Sequence, residues 1–498
     1  IDAGTAKASI TGRSGTGPGV KISGDLPPAP GPTPSVIGGD VSITGGTTSG
    51  NTALHLERTQ IKASGFLMLE SKGGAMLIQS SEVSNSGSNM TTLSADAGSK
   101  IAIDSQSKLI TTVANAPILL IADQMQLDGL VSAGTNAGIT IRPRTLSRGI
   151  TIGGTDEANQ LNLTQSELNN LQGKVVQVGF GGASGGIQVL GPVSLGTSTA
   201  PATLSLGNKG SITQATGGSL QVATLMLNAA SVDLREQNNV QSVSGKTSAG
   251  GFLFKSASDT GLQVGNVEAN NYNGENTPSV WYPVEISVYM PGTSLTQTAG
   301  TLIEGGDILL QGAGAPGTAT LGDVKATTLT FNAWALVKLT GATQFDSIQF
   351  PGGSIQTVGG ALNPGGFDRI LTSVPINVGS MQIDPLTELQ LDFDGARHDK
   401  LVFPSTASID LGGGASVVLN EMNPVPDGNY DIAVSDPSTP QVTITIGTPP
   451  APPPAPTPAP TAAPTPAPTP APTAAPTPAP TPAPTPAPTA APTPAPTP

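Results

Sequence analysis

The chain has 498 residues, of which 37% are hydrophobic, 11% charged and 3% aromatic, with 63 glycines and a formal net charge of -13. It is too apolar for wholesale disorder and too sparsely charged for an ordinary cytosolic enzyme. The 0 cysteines exclude a disulfide framework, a zinc–thiolate site and a thiol nucleophile, and 21 Lys and Arg with no basic, aromatic-interleaved patch exclude nucleic-acid binding.

In chain order, residues 1–34 are rich in Gly, Pro, Ser and Thr and read as a linker or a ragged first coil. From Ser35 to Ala269 short aliphatic runs follow one another. Examples are Val41-Ser42-Ile43-Thr44, Ile101-Ala102-Ile103-Asp104, Ile139-Thr140-Ile141-Arg142 and Leu204-Ser205-Leu206. Apolar residues alternate within each run, and Gly, Asn, Ser and Asp separate the runs, as strands and tight turns require. A narrow core filled by Val, Ile and Leu rather than by rings is expected. Ile118-Leu119-Leu120-Ile121 is too short to span a bilayer and reads as a buried strand, so no transmembrane segment is expected. One short helix is expected, where Thr164-Gln165-Ser166-Glu167 has capping-box spacing ahead of Leu168.

Residues 270–293 break the pattern. They hold Tyr272, Trp281, Tyr282 and Tyr289, three of the 4 tyrosines and one of the 2 tryptophans, and read as an aromatic insertion or a break. Strands resume over 294–387. Longer runs over 388–446, such as Leu389-Gln390-Leu391-Asp392-Phe393-Asp394, suit a C-terminal β cap, which an open-ended solenoid needs to cover its last edge. Residues 447–498 are almost only Pro, Ala and Thr, and Ala462–Thr473 recurs letter for letter as Ala474–Thr485. Such a tail has no large apolar group to bury and is expected to be a disordered, polyproline-like spacer.

Three phrases recur: Ser211-Ile212-Thr213-Gln214, Ser294-Leu295-Thr296-Gln297 and Ser354-Ile355-Gln356-Thr357. The first leads on to Leu225-Met226-Leu227, the second to Leu329-Thr330-Phe331. Irregular repetition of a strand-and-turn unit marks a solenoid, in which no unit buries its apolar face alone. The expected fold is all-β: a right-handed parallel β-helix of about twenty coils spaced about 4.8 Å, a rod near 100 Å long.

The Ser211–Val243 block, Ile150-Thr151-Ile152-Gly153-Gly154 with Leu161-Asn162-Leu163-Thr164-Gln165-Ser166-Glu167-Leu168, and Arg397-His398-Asp399-Lys400-Leu401-Val402-Phe403 resemble segments of filamentous haemagglutinin-like adhesins, the passengers of bacterial type V secretion. The likeness covers roughly residues 35–446. It implies a non-catalytic rod, secreted or held at the bacterial cell surface, that binds glycans or proteins of host or neighbouring cells. The chain carries neither a signal-peptide pattern nor the family's secretion-domain motif, so it is read as a mature protein or fragment whose export signal and secretion partner lie outside it.

The chemistry-bearing patterns are weak. Gly182-Ala183-Ser184-Gly185-Gly186 matches a nucleophile elbow, but a strand-like run follows where the motif needs a helix. Gly312-Ala313-Gly314-Ala315-Pro316-Gly317 matches a dinucleotide fingerprint, also without its helix. Asp392, Asp394, His398 and Asp399 form the one dense acidic cluster; paired carboxylates of this kind cleave polysaccharides, but a solvated strand face and hairpin is the expected reading. His55, between Leu54 and Leu56, faces outward or pairs locally. No cofactor or metal site is expected. The partner-binding candidates are therefore Tyr272, Trp281, Tyr282 and Tyr289, whose rings suit stacking on sugars or anchoring a protein, or else fix the insertion to the rod. The alternatives to an adhesin are a polysaccharide-active β-helix enzyme and a purely structural surface stalk.

Overall fold

A computed structural model describes residues 1–24, 35–155, 159–196, 203–271, 280–314, 317–365, 373–394, 397–404, 407–410, 416–423, 425–435 and 439–446. Tyr272 and the Pro-Ala-Thr tail from Gly447 onward lie outside the described residues. Residues 1–447 form one compact unit.

That unit is a parallel β-helix. Sixteen successive parallel pairings join seventeen strands along one face, from Ala8–Ser14 and Val41–Thr47 to Glu388–Asp394 and Ser416–Asn423. At about 4.8 Å per step this ladder runs about 77 Å. It is shorter than the sequence suggested because coils are longer than assumed: Leu225 stacks on Val243, 18 residues on, but Ile139 on Val176, 37 residues on. The first rung lies within residues 1–34, since Ala8 pairs with Val41 and Val20 with Leu54.

The first five coils each contribute three short strands. A second face stacks Val20–Ser23, Thr52–Glu57, Ala75–Gln79, Lys100–Ile103 and Gln124–Leu127. A third stacks Ser35–Gly38, Gln60–Ala63, Glu82–Asn85, Lys108–Thr111, Leu130–Ser132 and Leu171–Gln172. From Ser219 onward strands lengthen and bend across corners; Ser219–Ala229 pairs with both Pro192–Ser194 and Thr203–Gly207. Alternation does the sorting: in Leu67–Lys72 the odd positions Leu67, Leu69 and Ser71 are buried while Met68 and Glu70 face outward.

The inner columns are largely Val, Ile and Leu, but rings fill more of the core than expected. Phe252, Phe254, Phe331, Phe345, Phe393 and Phe403 are all fully buried, and all follow residue 250. Phe331 meets Phe350 edge-on at 5.8 Å.

The recurring phrase has a structural use. Gln214 Nε2 donates to the Gly218 carbonyl at 2.9 Å, and Gln297 Nε2 to the Thr301 carbonyl at 2.7 Å, closing the same four-residue corner. Each glutamine also ties its corner to the next coil: Gln214 Nε2 donates to Asn238 Oδ1 at 2.8 Å, and Gly322 N–H donates to Gln297 Oε1 at 2.9 Å. A corner turns backbone groups away from the ladder, and a buried amide side chain satisfies them.

The ladder resumes past the aromatic segment, with Phe252 stacked on Val284 and Leu262 on Leu295. At its two described edges the aromatic segment forms an excursion from these coils: Asn270 pairs antiparallel with Trp281 and Asn271 with Val280. At the C-terminal end, parallel pairing continues through Leu401 to Ala433, and Gly428–Ser435 closes antiparallel on Thr439–Ile446. No helix among the described residues is long and apolar enough to cross a membrane.

Candidate functional site

The structure separates the sequence-predicted aromatics. Trp281 and Tyr282 precede the strand Val284–Val288 and Tyr289 follows it, with about 16 Å of extended chain between. Trp281 is half-buried under Lys325, whose Nζ sits 5.2 Å from the ring centroid. Tyr282 packs against the core edge, and its backbone N–H donates to the Ala269 carbonyl at 2.8 Å. Tyr289 is 52% exposed, with Lys255 Nζ 4.0 Å from its ring centroid. Trp281 and Tyr282 thus fix the excursion to the rod, while Tyr289, among the described residues of this group, presents its ring to solvent.

The acidic cluster is not a solvated face. Phe393 pairs antiparallel with His398 and Asp394 with Arg397, so the expected hairpin is there, but Asp392 and Asp399 are buried. Asp399 Oδ2 accepts the Asp392 N–H at 2.9 Å, and the Asp399 N–H donates to the Asp392 carbonyl at 3.0 Å. The Asp399 carboxylate is buried because a backbone amide of its own tight hairpin takes the place of water. His398 stacks on Phe393 at 5.0 Å, lies edge-on to Tyr430, and its Nε2 donates to the Asp431 carbonyl at 3.0 Å. His55 faces outward and pairs with Gln79 Oε1 at 2.6 Å. Ser184 and Gly317 are each followed by strands, Ile187–Val189 and Thr318–Leu321, so neither glycine motif opens a helix.

Sequence reasoning missed a polar cleft of about 670 Å³ lined by Lys100, Gln124, Met125, Gln126, Asp128, Asn159, Gln160, Asn162, Thr164 and Glu167. It lies where the second face is interrupted. Gln124–Leu127 is an edge strand, paired on one side only with Lys100–Ile103. Leu161–Leu163 lies alongside it but pairs with Ile150–Ile152 instead. The single-turn helix Gln165–Leu168 closes one flank with side chains that imitate strand partners. Leu127 N–H donates to Glu167 Oε1 at 3.0 Å, and Asn170 Nδ2 donates to the Leu127 carbonyl at 2.8 Å. On the other side Gln165 exchanges two hydrogen bonds with the Ser194 backbone, at 2.8 and 2.9 Å. The capping box read from sequence is present: Thr164 N–H donates to Glu167 Oε2 at 2.8 Å.

Met125 lies at the base of the cleft, and the outward Gln124, Gln126 and Asp128 form its lip. Lys100 Nζ donates to Gln126 Oε1 at 3.1 Å and Gln126 Nε2 donates to Asp128 Oδ2 at 2.6 Å, which fixes the amide's orientation. Thr151 holds Asn162 from behind through its hydroxyl. The side chains of Gln124, Asn159 and Gln160 make no hydrogen bond among the described residues. The result is a concave row of amides with one ammonium and two carboxylates, matched to ligands that present many hydroxyls. The sequence signal was the outward Gln124 and Gln126 beside an unusually long coil.

Behind the cleft, Asp123 is buried and anchors the 143–149 loop. Burial pushes its carboxyl up, but donation by the Thr145 hydroxyl and amide and the Gly98 amide, with Arg148 nearby, holds it below the usual carboxylate range.

No protein-family model matches the chain, and neither a curated protein nor a solved structure matches it. Among the described residues no group of His, Cys, Asp and Glu is arranged to hold a metal ion.

Proposed function

We propose that this protein is a non-catalytic bacterial adhesin, secreted or attached to the cell surface, that uses its β-helix as a rod to bind glycans of host or neighbouring cells. The observation that carries this reading is the cleft between Gln124–Leu127 and Leu161–Leu163. Two of its amides, those of Gln126 and Asn162, are held by hydrogen bonds before any ligand arrives, which lowers the ordering cost of binding a hydroxyl-rich chain. Tyr289 is a second contact, an exposed ring suited to stacking on a sugar face. The resemblance of residues 35–446 to haemagglutinin-like passengers supports the surface location and a secretion partner outside this chain. Against a polysaccharide-cleaving enzyme, the carboxylates of Asp392 and Asp399 are both buried, and that of Asp399 accepts the Asp392 backbone N–H within the hairpin. Against a bare stalk, a stalk has no use for a preorganised cleft.

The test is adherence of beads coated with the purified protein to epithelial and bacterial cells. Beads are expected to adhere, and to lose adherence when the cells are treated with a mixture of glycosidases. Adherence unaffected by deglycosylation would redirect the reading to a protein partner, and no adherence to any cell type would favour the stalk.

A further inference from the structure

Lys325, Glu304 and Asn270 meet under the excursion that carries Trp281. They lie on three successive rungs: Val267 stacks on Ile303, and Glu304 on Lys325. One carboxylate bridges the other two groups. Glu304 Oε2 accepts a hydrogen bond from Asn270 Nδ2 at 2.6 Å, and Glu304 Oε1 lies 3.7 Å from Lys325 Nζ. Asn270 is 1% exposed and Glu304 2%, and the Trp281 ring lies against the ammonium. Asn270 Oδ1 is buried with no hydrogen-bond partner among the described residues. A buried amide oxygen without a donor is unusual in a folded protein and calls for an explanation.

We propose that these residues form an intramolecular isopeptide bond between Lys325 Nζ and Asn270 Cγ, with Glu304 as the catalytic residue. The ammonium of Lys325 first passes one proton to the Glu304 carboxylate. The neutral amine then attacks Asn270 Cγ, and the protonated Glu304 supplies the donor that the amide oxygen lacks. The Cγ–Nδ2 bond breaks. Nδ2 takes up the second proton from Lys325 Nζ and leaves as ammonia, which accepts the proton held on Glu304 and departs as ammonium. The carboxylate is regenerated and no oxidant, reductant or cofactor is consumed. Proximity supplies the drive, because folding holds the half-buried amine against a buried amide and carboxylate.

The bond fits its setting. With 0 cysteines the chain has no disulfide to staple its coils, and each coil is held only by its neighbours. A link from residue 270 to residue 325 would clamp three rungs and pin the excursion over them.

The experiment is intact-mass spectrometry of the purified full-length chain, followed by proteolytic peptide mapping. The expected mass is one ammonia, about 17 Da, below that of the sequence. A branched peptide joining the Asn270 and Lys325 segments is also expected. Glu304→Gln and Lys325→Arg should each restore the full mass, and the second keeps the positive charge if the first folds poorly. A wild-type chain at full sequence mass would overturn the proposal. So would a loss of ammonia that maps elsewhere, yields no branched peptide, or persists in Lys325→Arg.

Discussion

Replacing Asn238 by Ala should open the solenoid locally. Asn238 is fully buried at a corner, where Oδ1 accepts the Leu220 N–H at 2.9 Å and Nδ2 donates to the Leu234 carbonyl at 3.0 Å and the Lys255 carbonyl at 3.1 Å. The side chain thus serves three backbone groups in three consecutive passes of the chain. Alanine would leave a buried N–H and two carbonyls without their partner. Each unsatisfied group costs roughly 1–3 kcal/mol; with partial relaxation the local loss should be about 3–5 kcal/mol. Asn238→Asp is the matching control for volume. It keeps the acceptor for Leu220 but turns the donor into a charged oxygen facing two carbonyls, so it should cost at least as much. Hydrogen exchange followed by mass spectrometry reads this coil by coil, which a single global melt does not. Peptides spanning 212–256 should lose protection while those spanning 41–95 keep it, because coupling in a solenoid passes only between neighbours. A loss below about 0.5 kcal/mol would refute the corner-staple argument. Equal loss of protection along the whole solenoid would refute nearest-neighbour stability.

Two further outcomes follow from single positions. Asp123 has its folded pKa depressed, so its contribution is present above the unfolded value of about 3.9 and is lost as pH falls through the folded value. Asp123→Asn should therefore lower the melting temperature at pH 7, and the difference from wild type should shrink steadily as pH falls below about 3.9 in melts followed by circular dichroism. A difference that does not change with pH would show that the anchoring charge is not what matters there. A Cβ on Gly74 would sit 1.8 Å from the Asn51 carbonyl oxygen, whereas one on Gly181 would meet nothing within 4 Å. Gly74→Ala should lower the melting temperature by several degrees and Gly181→Ala should not. Equal effects would mean that the coil spacing at Gly74 relaxes freely.

The architecture was legible because it is written in local patterns. Alternating runs such as Val41-Ser42-Ile43-Thr44 place Val41 and Ile43 inside whatever coil follows, and Leu227 lies in the buried column as its spacing implies. The capping box at Thr164 was readable because all its parts lie within four residues. What was not legible depends on pairs far apart in the chain. The recurring Gln214 and Gln297 were visible as a motif, but their use emerges only when a corner meets the next coil. Asp392 and Asp399 read as surface residues because nothing in sequence shows that the hairpin turns inward, with the Asp392 N–H donating to Asp399. The four aromatics read as one cluster because they are close in sequence, yet a strand between them sends Tyr289 to the opposite end. The cleft was hidden for the same reason: it arises where two strand edges come side by side without pairing, one near residue 125 and the other near residue 162.

The most direct test of the central claim is binding of the purified protein to an array of defined glycans, with and without the cleft lip. The triple variant Gln124→Ala, Gln126→Ala, Asn162→Ala removes outward side chains only and should leave the circular dichroism spectrum unchanged. Wild type should bind a defined set of neutral or amine-bearing glycans, and the triple variant should lose at least tenfold in affinity for them, equivalent to about 1.4 kcal/mol. Undiminished binding by the folded triple variant, or no glycan bound by wild type, would contradict that claim.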